Sequence, residues 1–317
     1  MKNNLLLVGS GPMAIEYSKV LKSLNIAFTV ICRKESSATS FFEKTGINPL
    51  FGGVNNLDRE KLSTFRCAIV ATEVDNLAGV SKFLIENGIK NLLIEKPAAL
   101  NVAEMLSLSE LAAKYNSKGY VAYNRRFYSS IQIAKRIIDE DGGVLSAFFE
   151  FTERSHLIKD ADKTTATKLN WLIANSSHVI DMFISLCGIP KTINCYKAGY
   201  LDWHKNSAIF TGAGITIKNI PFSYHANWIS AGGWGLEIFT NKRKLVFKPL
   251  ERLKQQVIGS SEIEDIEFDY SKDISFKPGL LKMVEAFVSN ETQDLVRLDT
   301  QVENIKIYES ILKGQSV

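Results

Sequence analysis

Apolar residues follow two different rhythms along this chain, and the change from one to the other divides it. Leu5-Leu6-Leu7-Val8, Ala27 to Ile31, Cys67 to Thr72, Asn91 to Ile94 and Tyr120 to Tyr123 are short, largely apolar runs, the pattern of strands buried on both faces. After the first of them, Ala14, Tyr17, Val20, Leu21 and Leu24 recur at helical spacing. Asn87-Gly88 is a helix stop, and Asn101 can cap a helix continuing to Tyr115. Strands separated by helices of this length imply parallel crossovers and a doubly wound sheet. Ser129 to Asp139 reads as one more helix, after which Gly142-Gly143 opens a strand through Phe151 with Leu145, Ala147, Phe149 and Phe151 alternating. From there strands dominate: 191–200, 208–218, 221–229, 234–240 and 243–247 are turn-punctuated members of a mostly antiparallel sheet. Asn175-Ser176-Ser177 is expected to cap a helix carrying His178 and Asp181, Pro278 to start a helix before Leu280, and Thr300 with Glu303 to form a capping box for the last one. The expected fold class is α/β: a Rossmann-type doubly wound parallel sheet in residues 1–124, then an α+β domain with an open, mostly antiparallel sheet in residues 125–317.

Length and composition agree with two globular domains. The chain has 317 residues, 45% hydrophobic and 23% charged, more than one ordinary core needs and too apolar for disorder. A formal net charge of +4 is small for this length, and the densest basic run, Lys242-Arg243-Lys244, is expected in a solvated hairpin turn, so nucleic acid is not an expected partner. No segment has the apolar length to span a membrane, and the run Leu5 to Val8 is too short for a signal peptide. Cys32, Cys67, Cys187 and Cys195 contain no C-x-x-C pair, which suits free thiols of a cytoplasmic protein. The four histidines lack ligand spacing, so no metal is expected.

The first turn carries candidate chemistry. Gly9-Ser10-Gly11-Pro12-Met13-Ala14 follows a strand and opens a helix. Its two glycines permit a tight turn and close backbone approach to a pyrophosphate, Pro12 suits a first helical position, and the helix-start amides near Met13 can hold the anion. The second strand ends at Cys32-Arg33-Lys34 and runs into Ser36, without the acid that would receive ribose hydroxyls. Arg33 and Ser36 suit a 2′-phosphate, which favours NADP(H) over NAD(H). Glu95-Lys96-Pro97 closes the fourth strand, at the edge where open α/β sheets bind ligands.

These motifs, with Ala71-Thr72 closing a strand, Tyr123-Asn124-Arg125-Arg126-Phe127 and Ser177-His178-Val179-Ile180-Asp181, resemble the Gfo/Idh/MocA family of oxidoreductases over most of residues 3–190. The resemblance implies that Ala71, Thr72, Glu95 and Lys96 border the dinucleotide. It further implies that Lys96 and His178 manage the proton of a substrate hydroxyl. The family's acid in a D-x-G-x-H pattern falls on Ala174 here, and its glycine on Ser176. Asn175 can offer a hydrogen bond in place of the acid but no charge.

The expected reaction is hydride transfer between nicotinamide and a carbinol or carbonyl carbon of a sugar-like or nucleotide-sugar-like substrate. Tyr123 and Arg126 are candidates for orienting that substrate, although Arg125 and Arg126 suit structural ion pairs equally well. Lys168 and Trp171 are candidates to line a sugar site, with core packing the alternative for Trp171. An open second sheet suggests a homodimer or homotetramer. The rival reading is a non-catalytic NADP-binding sensor or assembly subunit, because position 174 lacks the acid.

Overall fold

The computed structural model describes residues 4–316. The chain forms two compact units: residues up to Asn124 with Asp273–Glu303, and Arg125–Lys272 with the residues from Asn304 onward. Segment 273–303, which a division by sequence order assigns to the second domain, packs with the first.

In the first unit, β1 (Leu5–Val8), β2 (Phe28–Ile31), β3 (Cys67–Val70), β4 (Asn91–Glu95) and β5 (Lys118–Ala122) are parallel, in the order β5-β4-β3-β1-β2. Val296–Arg297 adds an antiparallel edge beside β5. Leu5, Leu6 and Leu7 are fully buried, since crossover helices cover both faces of such a sheet. The strand order reverses between β1 and β3, so the connections that follow these two strands leave in opposite directions. Helix Pro12–Ser23 starts at that point with Pro12 in its first turn, and buries Ala14, Tyr17, Val20 and Leu21. Asn101 caps helix Val102–Lys114 by accepting from the Glu104 amide. The last helix begins at Leu298, and Thr300 lies inside it, its amide donating to Asp299. The expected Thr300–Glu303 capping box is therefore not formed, because Asp299 reaches that amide first.

In the second unit eight strands form one sheet in the order β13-β12-β11-β10-β6-β9-β8-β7. They are β6 (Ser146–Phe151), β7 (Pro190–Ala198), β8 (Ile209–Thr216), β9 (Pro221–Asn227), β10 (Trp234–Phe239), β11 (Arg243–Phe247), β12 (Lys254–Val257) and β13 (Glu264–Asp265). All neighbours are antiparallel except β6 and β9. The expected strand from Gly142 begins only at Ser146, since both glycines adopt positive φ and turn the chain. Ala147, Phe149 and Phe151 face one side, and Phe149 lies 4.8 Å from Phe183 of helix Ser177–Cys187 and 5.4 Å from Tyr224. This aromatic layer between sheet and helix is the core of the unit.

Two local expectations fail here. Arg243 is not in a solvated turn: it donates to the buried Asp141 at 2.9 Å, and Thr240 donates to the same carboxylate at 2.8 Å. Asn175-Ser176-Ser177 does not cap a helix. Leu172–Ser176 is a π-helical stretch running straight into Ser177–Cys187, so those side chains lie within a continuous helix. Among the described residues no helix is long and apolar enough to cross a membrane.

Candidate active site

In the first unit the glycine turn is shaped by its contacts. Gly9 has φ +123°, and a Cβ there would fall 2.2 Å from the Ala71 carbonyl oxygen. Only glycine lets β1 and β3 end this close together. Its amide donates to Ile31 and that of Ala71 to Val8, so the turn is hydrogen-bonded to both neighbouring strands. Gly11 is different: its φ is −76° and a Cβ would meet nothing within 4 Å. Helix Pro12–Ser23 has no side-chain cap and no acidic residue in its first turn. Its amino-terminal amides are thus left for an outside anion, and the open space at Gly11 admits one, which fits a dinucleotide pyrophosphate. Thr72 is partly exposed just beyond β3, and Arg33 and Ser36 are exposed after β2.

At the end of β4, Glu95 is buried and accepts a 2.6 Å hydrogen bond from the Tyr17 hydroxyl. Burial pushes the Glu95 carboxyl up, while Tyr17 and the ammonium groups of Lys96 and Lys277 pull the other way. Tyr17 is itself pushed far up by burial and by Glu95. The Lys96–Pro97 peptide is cis, and the Ala98 amide closes the turn onto the Glu95 carbonyl. Lys96 is partly exposed beside this buried pair. Tyr123, expected near substrate, is 1% exposed. Its hydroxyl accepts from Gln301, which also donates to the Pro97 carbonyl, so Tyr123 braces the turn that carries Lys96.

The second unit gathers another set of groups. His178, 6% exposed, lies in the first turn after the π-helical stretch, 6.1 Å from the Trp234 ring. Trp234 starts β10 opposite Phe151, and the Arg125 guanidinium lies 4.9 Å from the centroid of the same ring. Arg126 is engaged elsewhere, in a bidentate pair with Asp181 at 2.8 and 2.7 Å. Asp181 is 0% exposed; burial raises its carboxyl pKa, and the Arg126 charge opposes the rise. Of the two readings for Arg126, the geometry thus supplies the ion pair. Lys168 donates to the Lys159 carbonyl, and Trp171 packs edge-on against Trp203 at 6.3 Å. Asn175 reaches a residue that no motif announced: its amide donates to Glu153 at 3.0 and 3.2 Å, and the Ser176 hydroxyl donates to the same carboxylate at 2.7 Å. Glu153 and Trp234 escaped the sequence reading as site residues because neither belongs to a functional motif; the fold brings them to the helix.

Comparison with known proteins accords with this geometry. Residues 3–123 match the model of an oxidoreductase family described as having an NAD-binding Rossmann fold. That family is Gfo/Idh/MocA, and the match spans residues 3–123 of the 317. No curated protein matches it. Among solved structures, a putative NADPH-dependent oxidoreductase from Desulfitobacterium hafniense superposes with a TM-score of 0.80 at 15% identity, covering 100% of this chain and 97% of that one. Levoglucosan dehydrogenase in complex with NADH and L-sorbose gives 0.78 at 17% identity, covering 100% and 99%. A UDP-N-acetylglucosamine 3-dehydrogenase from Acidithiobacillus ferrooxidans gives 0.75 at 13%, covering 99% and 98%. At these identities the likeness shows the shared fold. In this chain the uncapped helix start and the open Gly11 turn are the features that fit a dinucleotide.

Proposed function

We propose that this oxidoreductase moves a hydride between a nicotinamide cofactor and a carbinol or carbonyl carbon of a sugar or nucleotide-sugar-like substrate, with Lys96 and His178 handling the proton. The observation that carries the reading is Lys96 itself. It sits at the carboxyl end of a central parallel strand, beside buried Glu95 and on a turn braced by Gln301 and Tyr123. That position is where such sheets present groups to ligands. When bound, the nicotinamide supplies or accepts the hydride. The chain's own part is to bind, orient and move one proton. Lys96 polarises the substrate oxygen or exchanges its proton, and His178, partly screened from water by Trp234, serves as the second proton carrier. Two solved structures of this fold are sugar dehydrogenases by name, which supports the substrate class.

NADP(H) is the cofactor we favour, NAD(H) the other. Arg33 and Ser36 stand exposed at the end of β2 with no acid at the strand end, a setting suited to a 2′-phosphate. The free thiols Cys32, Cys67, Cys187 and Cys195 favour a reducing compartment, the cytoplasm. A homodimer or homotetramer through the outer face of the second sheet is the assembly we favour, because Tyr196 and Ile215 are left exposed there.

The test is turnover with NADP+ or NAD+ against levoglucosan, UDP-N-acetylglucosamine and a panel of free hexoses, followed by cofactor absorbance. Lys96→Met should lower kcat/KM at least about tenfold on any substrate found, ~1.4 kcal/mol of transition-state stabilisation. A smaller loss removes Lys96 from the proton step.

A further inference from the structure

We propose that the second unit carries a recognition site for a cyclic monocarboxylate, an aromatic or sugar acid, in the cavity lined by Arg252, Phe268 and Tyr270. The proposal stands apart from the hydride-transfer reading, since none of these residues belongs to the glycine turn, the Lys96 turn or the His178 helix.

The cavity has a volume of about 690 Å³, within the range of small-molecule sites. One side is built from Lys248 and Arg252, between β11 and β12, and from Lys254 at the start of β12; Phe268 and Tyr270, beyond β13, form the other. The backbone that carries Arg252 is pinned. Leu250 and Leu253 are buried, and the Leu250 carbonyl accepts from the Ser130 hydroxyl at 3.2 Å. The Leu253 carbonyl accepts from the Ile266 amide at 2.9 Å, a bond that ties the two sides together. Arg252, between the two leucines, is exposed. Its side chain therefore leaves a turn that is already ordered, which lowers the cost of fixing a ligand there.

The charges of the cavity sort by partner. Lys248 pairs with Glu150 at 2.8 Å and Lys254 with Asp265 at 3.8 Å. Among the described residues the Arg252 guanidinium makes no hydrogen bond or ion pair, and it lies over the Tyr270 ring, 4.7 Å from the centroid. A guanidinium held at a ring by cation–π attraction keeps its N–H donors for a second partner, and its planar fork matches the two oxygens of a carboxylate. Glu267 also lines the cavity, exposed and without an ion pair among the described residues. Its charge repels a ligand that carries more than one negative group, so a single carboxylate fits better than a di- or triphosphate. Phe268 and Tyr270 are partly exposed, with ring centroids 4.1 Å apart. A ring borne by the acid thus meets an aromatic surface beside the cation.

The test is nuclear magnetic resonance of the full-length protein, titrated with 4-hydroxybenzoate and with glucuronate; 4-hydroxybenzamide and acetate serve as the uncharged and the ringless control. At least one acid should move the amide signals of Arg252, Phe268 and Tyr270 in a saturable way below about 10 mM. Which one does so tells an aromatic acid from a sugar acid. Arg252→Gln, at an exposed position with no side-chain bond to lose, should keep the fold and weaken this binding about tenfold or more. Phe268→Ala should weaken it too. The proposal is overturned if neither acid moves those signals, if either control moves them as strongly, or if Arg252→Gln or Phe268→Ala binds like wild type. No turnover is measured, so the oxidoreductase reading can fail while this site stands, and the reverse.

Discussion

Gly9 and Gly11, two residues apart, carry opposite duties in the first turn. Gly9 has a positive φ and the Ala71 carbonyl where a Cβ would go, so Gly9→Ala combines backbone strain with overpacking. We expect it to cost about 3 kcal/mol of stability, read from urea unfolding. Gly11 has an ordinary φ and open space. Gly11→Ala should leave the unfolding midpoint within about 0.5 kcal/mol of wild type and weaken NADP(H) binding tenfold or more in calorimetry, since the added methyl occupies room meant for the ligand. Equal effects on stability would show that Gly11 is a packing residue. Arg33 is a further separable position: exposed at the end of β2, it should set the cofactor. If the proposed NADP(H) preference rests on this side chain, Arg33→Asp reverses it in favour of NAD(H) without altering the unfolding midpoint. The glycines were legible from their spacing after a strand. Their division of labour was not, because it depends on where β3 ends.

At the scale of elements, buried carboxylates tie helices and hairpins to the second sheet. Asp181 on helix Ser177–Cys187 holds Arg126 in a bidentate pair. Arg126→Ala leaves an uncompensated buried carboxylate, so we expect about 3–5 kcal/mol of lost stability; a pure rise in KM with unchanged stability would return Arg126 to the substrate. Asp141 sits below the β10–β11 hairpin. Burial works against its charge, but the Thr240 hydroxyl and the Arg243 guanidinium outweigh it and hold the carboxyl below its usual range. A depressed native pKa means that this stabilisation is complete above the unfolded value of about 3.9 and is lost as pH falls through the native one. The stability gap between wild type and Asp141→Ala should therefore be steady near neutral pH and close only below about pH 4, in denaturation curves taken across that range. Periodicity found the hairpin but placed Lys242-Arg243-Lys244 in water, since it carries no information about Asp141, which lies about a hundred residues earlier in the chain. For the same reason Asn175-Ser176-Ser177 resembled a helix cap: the local residue types are right for one, and the hydrogen bonds that Asn175 and Ser176 make instead reach Glu153, more than twenty residues earlier in the chain.

For the whole molecule, the exposed outer face of the second sheet motivates one more expectation. Ala213 on β8 pairs with Asn194 on β7 and is exposed. Sedimentation should show an oligomer, and Ala213→Arg should dissociate it if that face is the contact. What the chain determined by itself was whatever repeats at short range: apolar runs for buried strands, helical spacing for the crossovers, a glycine turn and the Glu95-Lys96-Pro97 triplet, which together sufficed for the α/β class and the dinucleotide-binding unit. Tertiary structure decided what depends on groups distant in the chain. It returned residues 273–303 to the first unit, turned Tyr123 toward Gln301, paired Arg126 with Asp181 and brought Glu153 to the helix of His178. A buried polar side chain has to be satisfied by whichever partner the packing of strands and helices places within hydrogen-bond reach, and no local spacing records who that partner is.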